Sequence, residues 1–396
     1  MEYKIKVKPE DFQVREISSL PLTDRGSFGV FKLKKQGWNT VDLLKKISRQ
    51  FFIPPSRISY GGKKDRHALT EQLITIEKPP KGFHIKEKNY SLKLIGFSKE
   101  PMQPRHIEGN HFTITIRSIS TEGEQYLQEP LKKIERDGLI NYFDDQRFGS
   151  FDSKQGFIGE KIIKEHYNGA VKIYLTHIHP EDKKEAKERK KKLFENWGNW
   201  EQCLNLAKTE FEKFSFAHLK DNPRDFLSLI RKIPKEDISM FFSCYQSFLW
   251  NETVRRLILS MTKEEALISH RGIAGDYLFF SEMETKKREY LESLKIPTAS
   301  SKVTMPDKLT ESIYNALLKE RDVKPSMFNL RKIRHAFFKS VEREVLIKPQ
   351  QFEYEIREDE IYEGKRKLIL KFILPRGSYA TMLIKRLFAK KLKKGG

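Results

Sequence analysis

Hydrophobic and polar residues alternate along several short stretches near the beginning of the chain, as they do in half-buried β-strands. The alternation predicts strands at residues 3–7, 10–16, 28–35, 71–76 and 90–97, and residues 109–117 read as a turn that enters a strand. Helical spacing replaces it twice, in a segment that Thr40 is expected to cap and in a segment at 122–136. The first 137 residues are therefore predicted to combine strands with helices.

The middle of the chain, from about residue 157 to residue 340, has mainly helical patterning. It predicts a long amphipathic helix at 241–258, a charged and solvated helix at 183–192, and a polar, helix-prone region at 285–325. The middle is therefore expected to differ in structure from the region before it.

The strand pattern returns near the C-terminus. A strand is predicted at 346–358, and the continuous apolar run at 368–374 suits a central strand. A helix is expected to begin near Gly377, with an apolar face and an opposite basic face that consists of Lys385, Arg386, Lys390 and Lys391. Strand-rich ends around a helical middle indicate that one domain is inserted into another.

The charge of the chain narrows the class of partner. Its 396 residues include 76 lysines and arginines against 54 aspartates and glutamates, a formal net charge of +22, which indicates a polyanionic partner. No apolar run reaches the length of about 18 residues that a membrane span needs, and no secretory signal is visible. Nucleic acid is therefore favoured over a membrane, and the cytoplasm is the expected compartment. Neither Cys203 and Cys244 nor the histidines are expected to bind a metal.

The densest cluster of candidate chemistry lies at 59–72, which reads SYGGKKDRHALTEQ. Gly61 and Gly62 allow a positive φ or a close approach to a ligand, and Asp65 follows among Lys63, Lys64 and Arg66. Neighbouring cations favour the ionised form of a carboxylate. Asp65 is thus either a salt-bridged residue of a tight turn or a nucleophile or base held beside a polyanion.

A second cluster lies at 138–156, which reads GLINYFDDQRFGSFDSKQG. Aromatic rings stand there beside amide and guanidinium groups: Tyr142, Phe143, Phe148 and Phe151 among Asn141, Gln146 and Arg147. Such a set can hold an unstacked base, with a ring to stack on and donors for the edge of the base. The same rings can equally belong to a hydrophobic core.

Together these stretches resemble the TruD family of tRNA pseudouridine synthases. GGKKDRHALTEQ resembles the family signature G-x-K-D-x-x-A-x-T-x-Q. Five further blocks look like those of the family and follow in the same order over nearly the whole chain: PEDFQVRE at 9–16, GNHF at 109–112, NYFDDQRFG at 141–149, S-x-x-x-S-x-x-x-N at 243–251 and LPRGSYAT at 374–381. Six ordered blocks are far more specific than any one of them.

The resemblance implies an α+β fold. A pseudouridine synthase catalytic domain with a mixed, mainly antiparallel sheet is expected at 1–154 and 341–396. A mostly helical TRUD domain, inserted at 155–340, is expected to interrupt it.

The resemblance also implies an activity. A specific uridine of tRNA, expected at position 13 of the D-arm, is isomerised to pseudouridine without a cofactor. Asp65 matches the catalytic aspartate, Phe143 the ring that stacks on the target base, and Lys64 the family's lysine next to the aspartate. The cation that keeps Asp65 ionised is either Lys64 or a basic residue from a distant block. The other residues expected to bind substrate are Asn141, Glu16, Gly109, Asn110, Gln146 and Arg147. The partner is tRNA, with no membrane and no metal, and a monomer is expected.

Two positions depart from the family pattern. Asp144 stands where the family has Gly, which puts a close backbone approach there in question, and Lys385-Arg386 stands where an Arg-Glu pair is expected. No catalytic role is assigned to the latter position, because a lysine cannot reproduce the bidentate geometry of an arginine.

Other functions remain open. The charge alone also fits a non-catalytic RNA-binding protein, and the same isomerisation on a different uridine or RNA is possible. A phosphoryl-transfer enzyme is disfavoured, because GGKKD lacks the Ser or Thr of a phosphate-binding loop.

Overall fold

The computed structural model describes residues 2–333 and 337–392. Its strands are, in chain order, β1 (Lys4–Ile5), β2 (Phe12–Ser18), β3 (Phe28–Lys35), β4 (Ile58–Tyr60), β5 (Leu69–Glu77), β6 (Ile85–Lys86), β7 (Tyr90–Ser98), β8 (Ile107–Ile119), β9 (Leu139–Ile140), β10 (Phe151–Asp152), β11 (Gly156–Phe157), β12 (Leu267–His270), β13 (Tyr277–Phe280), β14 (Lys295–Pro297), β15 (Glu342–Glu344), β16 (Leu346–Ile347), β17 (Gln350–Glu358), β18 (Arg366–Pro375) and β19 (Lys390–Lys391). Its helices are α1 (Thr40–Gln50), α2 (Thr121–Asp137), α3 (Ile158–Ile163), α4 (Tyr167–Thr176), α5 (Lys184–Glu195), α6 (Trp200–Leu206), α7 (Glu210–Asp221), α8 (Phe226–Lys232), α9 (Lys235–Met261), α10 (Thr285–Ser293), α11 (Lys308–Glu320) and α12 (Ala380–Leu387).

The described chain divides into two compact units. The first combines the residues up to Leu139 with Ile347–Phe388, and the second contains Ile140–Leu346 and the residues from Ala389. The expected domain boundaries, 1–154 with 341–396 and 155–340, stay a prediction, because a compact unit need not coincide with a family domain.

The first unit is built on one large sheet with the strand order β17-β18-β8-β2-β5-β3-β7-β6, to which β1 adds beside β8 and β4 beside β5. Neighbouring strands are antiparallel except β2 and β5, which are parallel. The predicted α+β class with a mixed, mainly antiparallel sheet is confirmed. β8 lies between β2 and β18, and burial alternates along much of it, as in a strand with one face on the core. All of residues 109–117 lie within β8, so the turn expected at the start of this stretch is absent.

A hydrophobic cluster fixes α1 against this sheet. Leu43, Leu44 and Ile47 of α1 pack with Phe31 and Leu33 of β3, and all five side chains are buried. The predicted helix is present, but Thr40 is not its cap. Asn39 has that role, since its side chain accepts the Asp42 N–H at 2.8 Å.

The C-terminal helix α12 differs from the expectation in two respects. It ends at Leu387, so Lys390 and Lys391 are not part of its basic face but form the strand β19. Leu383, Ile384 and Leu387 are buried as predicted, but Arg386 of the expected basic face is buried too, and Lys385 is partly buried. Burial lowers the pKa of Arg386 to about 10, against the opposing charges of Tyr126 and Asp137. The spacing alone could not show this, because Arg386 lies at the border between the apolar and basic faces.

The second unit is mainly helical, and its longest element is α9. This helix contains the predicted segment 241–258 and is longer at both ends; it packs against α3 and α11. The charge run forms α5, whose one buried residue among those described is Leu193. No helix in the described ranges is long and apolar enough to cross a membrane.

Candidate active site

The loop between β4 and β5 carries the first candidate cluster. Its two glycines have no positive φ, contrary to one reason that the sequence suggested for them. A Cβ on Gly61 would lie 2.7 to 2.9 Å from side-chain atoms of Ile107 and Met102. Gly61 therefore allows these side chains to pack on the loop. The close approach that glycine permits here is to protein side chains and not to a ligand.

Three side chains from neighbouring elements hold the backbone of this loop. The Thr40 hydroxyl accepts the Lys64 N–H at 3.0 Å and donates to Gln72 Oε1 at 2.9 Å, while Gln72 Nε2 donates to the Gly62 carbonyl at 3.0 Å. Lys35 Nζ donates to the Lys64 and Asp65 carbonyls at 3.2 and 2.9 Å. The Lys64 N–H and the carbonyls of Gly62, Lys64 and Asp65 thus have hydrogen-bond partners on neighbouring strands and on α1.

The carboxylate of Asp65 is bound on both oxygens. Oδ2 accepts from Lys6 Nζ at 2.5 Å, and Oδ1 accepts the His67 N–H at 2.9 Å. Burial opposes ionisation of this half-buried group, but the Lys6 and His67 hydrogen bonds and charges outweigh it and hold its pKa below the ordinary value. Asp65 is therefore an anion at neutral pH.

Of the two alternatives for the ion-pair partner of Asp65, the structure has the distant basic residue, Lys6, and not Lys64. Its Nζ lies 2.8 Å from Glu16 Oε2 and donates to Asn110 Oδ1 at 2.7 Å. The Glu16 side chain is fully buried, and its Oε1 accepts the Leu73 N–H at 3.3 Å. Three of the predicted substrate-binding residues thus meet in one cluster because β2 and β8 are neighbours, with Glu16 opposite Asn110.

The packing of neighbouring strands explains why residue 109 is glycine. It lies opposite Pro375 of β18 and opposite Ile17 of β2. A Cβ at this position would lie 2.5 Å from the Leu374 carbonyl oxygen. Strand packing alone therefore requires glycine here, and its expected contact with substrate stays a prediction.

In the second unit, the segment that contains Asn141 and Phe143 is held by Arg343. The Arg343 guanidinium donates to the Asn141 carbonyl and to Asn141 Oδ1, both at 2.7 Å, and lies 4.1 Å from the centre of the Phe143 ring. Asn251 of α9 bonds both backbone groups of Phe143, at 2.9 and 2.8 Å, and Trp250 meets the Phe143 ring edge to face. The ring is only 7% exposed.

The rest of this segment is divided between solvent and the interior. Gln146 is exposed, whereas Arg147 is partly buried with its Cζ 5.4 Å from the centre of the Phe143 ring. Arg147 Nε is buried and has no hydrogen-bond partner within the described part of the chain. Asp144 has φ −84°, an ordinary extended value, so the loss of the family's Gly leaves no backbone strain there.

One histidine pair has the short spacing that metal ligands can have, although no metal is predicted at the histidines. His177 and His179 form an H-x-H pair, and His177 Nδ1 lies 3.1 Å from Asp152 Oδ2. No cluster of three or more possible ligands occurs within residues 2–333 and 337–392. The pair is accounted for by the hydrogen bond to Asp152 and by an edge-to-face contact between the two rings.

The family model for tRNA pseudouridine synthase D (TruD) matches residues 1–387. The chain belongs to the TruD family of tRNA pseudouridine synthases. It is therefore an isomerase that converts uridine in tRNA to pseudouridine, and the predicted family and enzyme class are confirmed.

Curated TruD proteins resemble the chain over its whole length. The tRNA pseudouridine synthase D of Leptospira interrogans is 34% identical over 97% of this chain and 96% of its own. The enzyme of the same name from Aquifex aeolicus is 31% identical over 99% of this chain and 100% of its own. A crystal structure of a TruD protein from Methanosarcina mazei has a TM-score of 0.74 at 28% identity and covers 97% of this chain and 92% of that one.

The sequence did not reveal two members of the Asp65 environment, Lys6 and Lys35. For Lys35 a signal existed: strand alternation in β3 places it on the same face as Phe31 and Leu33, which are buried. For Lys6 no local signal existed, because its contact with Asp65 joins positions 59 residues apart.

Proposed function

We propose that Asp65 is the catalytic carboxylate with which this TruD enzyme converts the uridine at position 13 of the tRNA D-arm to pseudouridine. The observation that carries the proposal is the ionised, half-buried carboxylate of Asp65, held by Lys6 and by the His67 N–H. A reactive carboxylate has to be charged and fixed in direction before substrate arrives, and these two contacts provide both.

The chemistry of the reaction makes an anion sufficient. The bond between N1 of uracil and the sugar breaks, the base turns, and a carbon–carbon bond forms from C5, while the proton of C5 is lost and N1 gains one. Atoms and electrons balance without an oxidant or a group donor. Asp65 assists either as a nucleophile or as a base that takes a sugar proton, and both roles need its ionised form.

The second unit is proposed to hold the extruded base. Phe143 supplies the ring on which the base stacks, and Asn141 supplies polar groups for the edge of the base. The guanidinium groups of Arg343 and Arg147 lie near the same ring. Because the ring is almost fully buried, side chains that pack on it have to move before a uracil can reach its face. Glu16, Lys64, Gly109, Asn110, Gln146 and Arg147 are proposed to shape the substrate site.

The domain assignment is part of the same proposal: residues 1–154 and 341–396 form the catalytic domain, and 155–340 form the inserted TRUD domain. The helical content of α3 to α11 supports the insert, and the large mixed sheet supports the catalytic part.

The test is an incubation of purified protein with unmodified tRNA, followed by adduct formation on pseudouridine and primer extension. We expect product from the wild type without added cofactor, and none from Asp65→Asn, with tRNA affinity largely kept because phosphate contacts dominate it. Asp24→Asn is the matched control, since Asp24 is exposed. Activity of Asp65→Asn would contradict the catalytic assignment.

The position is tested with a second substrate. A tRNA in which uridine 13 is replaced by cytidine is expected to yield no pseudouridine. Product at another uridine of that tRNA would show the same activity at a different position, and binding without product from any tRNA would favour a non-catalytic RNA-binding protein. Binding is expected to weaken steeply with salt, in keeping with the net charge of +22.

A further inference from the structure

Lys35 is a buried lysine whose three N–H donors all have acceptors. It is 1% exposed, and its Nζ donates to the carbonyls of Trp38, Asp65 and Lys64 at 2.7, 2.9 and 3.2 Å. An ammonium has three donors and no acceptor, so three converging carbonyls satisfy it completely. Its contacts join the end of β3, the turn before α1 and the Asp65 loop.

Lys35 makes these three hydrogen bonds as a buried charge. Burying an ammonium is unfavourable unless it is paired, and the acceptors around Lys35 are neutral carbonyls. Burial lowers the pKa of Lys35 to about 8; the charge of Asp65 opposes this effect and the charge of Lys64 adds to it. Perturbed groups of this kind cluster at functional sites.

We propose that Lys35 is a positioning residue that, as an ammonium, holds the Asp65 loop in its reactive conformation. The proposal rests on the catalytic role proposed for Asp65. Lys35 fixes the carbonyl of Asp65, and this fixes the direction of the adjoining Cα–Cβ bond, while Lys6 and the His67 N–H hold the carboxylate at its other end. Neutral Lys35 donates only two hydrogen bonds, so one carbonyl is released and the loop gains freedom.

The charged groups around Lys35 come from several elements. Asp65 and Lys64 lie in the loop that Lys35 binds, and Lys6, from the segment between β1 and β2, contacts Asp65. The pKa of Asp65 is held low, so this carboxylate stays charged over the neutral and alkaline range. A change in the loop near pH 8 therefore follows the proton of Lys35 rather than that of Asp65.

The experiment compares single-turnover rates and tRNA affinity of the wild type, Lys35→Met, Lys35→Arg and Lys34→Met. Lys34→Met is the matched control, because Lys34 directly precedes Lys35, is 58% exposed on the opposite face of β3, and pairs with Glu71. We expect Lys35→Met to lower the single-turnover rate by about 10- to 100-fold, because Asp65 is then no longer held in its reactive position. The affinity for tRNA should not change. Lys34→Met should keep the wild-type rate.

The pH profile separates positioning from folding. The wild-type rate should fall above a pKa of about 8, which is the value for Lys35. Lys35→Met should lack this alkaline decline, and Lys35→Arg, whose guanidinium stays charged, should lack it as well while retaining a reduced rate, because its planar fork does not fit three converging carbonyls. If Lys35→Met does not fold, Lys35→Arg and the wild-type profile decide.

A wild-type rate for Lys35→Met, or a decline near pH 8 that persists in Lys35→Arg, would overturn the inference. Asp65→Asn separates the two levels of the argument. If Asp65→Asn is inactive and both Lys35 variants behave like the wild type, the positioning role alone fails. If Asp65→Asn keeps its activity, the proposed function fails and the role of Lys35 fails with it.

Discussion

Lys6 Nζ lies 2.5 Å from Asp65 Oδ2, although 59 residues separate the two in the chain. Lys6 has a φ of 56° at the end of β1, and its ammonium also lies 4.6 Å from the centre of the Phe12 ring. A cation–π contact and an ion pair thus act on one ammonium. The charge that keeps Asp65 ionised comes from the N-terminal segment and not from the lysines beside Asp65.

Replacing Lys6 by methionine should therefore change the acid side of the pH profile. Burial then acts on Asp65 without the strongest opposing contact, so its pKa rises and the decline in rate at low pH moves to higher pH. The loss of a hydrogen bond to a charged group corresponds to a decrease of about 10- to 100-fold in the single-turnover rate at neutral pH. Rates measured from pH 4 to pH 8 test both parts.

Lys8→Met is the control for Lys6→Met. Lys8 is 49% exposed and lies 3.8 Å from Glu360, so its loss removes the same charge from the same segment without touching Asp65. If the rate of Lys6→Met declines at the same low pH as that of the wild type, another group keeps Asp65 ionised.

Much of the fold was predictable because its elements have local signatures. The alternation at 28–35 coincides with β3, and the amphipathic stretch at 241–258 lies within α9. Both signals depend on side chains that face one core, which a short window of sequence reveals. The capping of α1 was mispredicted, because Asn39 and Thr40 both suit an N-cap, and only the contacts of Thr40 with Lys64 and Gln72 decide between them.

The candidate site was predictable only in part. The stretch around Asp65 stood out by its residue types, but its partner Lys6 depends on how β1 and the loop meet in three dimensions. The burial of Phe143 was open for a similar reason, since aromatic residues beside amides suit a core as well as a stacking platform. Arg343, which contacts both Asn141 and Phe143, lies about 200 residues away in the chain and has no motif around it.

The buried pair of Glu16 and Lys64 should be strongly coupled. The side chains are 0% and 10% exposed, so removal of one partner leaves the other charge buried. Glu16→Gln and Lys64→Met are each expected to lower the free energy of unfolding by about 3 kcal/mol, and the double variant by clearly less than the sum. Urea denaturation of the wild type, the two single variants and the double variant gives the coupling energy.

The control is the exposed pair of Lys371 and Glu353, which are 3.7 Å apart and should show almost no coupling energy. Additive effects of the substitutions at Glu16 and Lys64 would contradict the prediction.

Loss of Arg117 should strongly lower the stability of the first unit. Its guanidinium bonds the carboxylates of Asp11, Asp359 and Glu360 at 2.8 to 3.0 Å, and it is 4% exposed. These contacts raise the pKa of Arg117 and lower that of Glu360. The pKa of Asp359 is lowered, against burial, by hydrogen bonds from the Ser118 and Ile361 N–H groups and from Arg117. Arg117→Met should lower the free energy of unfolding by about 3 to 5 kcal/mol, because it leaves buried carboxylates without their cation.

The comparison for Arg117 is Arg357→Met. Arg357 pairs with Glu355, and both side chains are more than half exposed, so its loss should change the free energy of unfolding by less than about 1 kcal/mol. Equal effects of the two substitutions in urea denaturation would show that the Arg117 network contributes nothing beyond surface charge.

Arg343→Lys should disturb the base-holding segment while the charge is kept. A lysine cannot bond the Asn141 carbonyl and Oδ1 together, nor stack on the Phe143 ring as a planar group does. We expect about a 10-fold lower single-turnover rate, since positioning of the base is lost, and little change in tRNA affinity. The exposed Arg271 provides the control, Arg271→Lys. A wild-type rate for Arg343→Lys would remove this residue from the proposed site.

Stability and activity should change in opposite directions above pH 8 because of Lys35. Its pKa in the folded chain is about 8, below the ordinary 10.5, so between these values the unfolded chain binds more protons than the folded one. The contribution of this group to the free energy of unfolding therefore increases as pH rises, by at most about 1.4 kcal/mol per pH unit.

Urea denaturation of the wild type and Lys35→Met at pH 7, 8.5 and 10 isolates the effect, since titration of all other groups is common to both. The difference between wild type and variant should become more favourable to the wild type as pH rises, while the wild-type rate falls. A constant difference would mean that the pKa of Lys35 is not lowered, and the decline in rate would then need another proton.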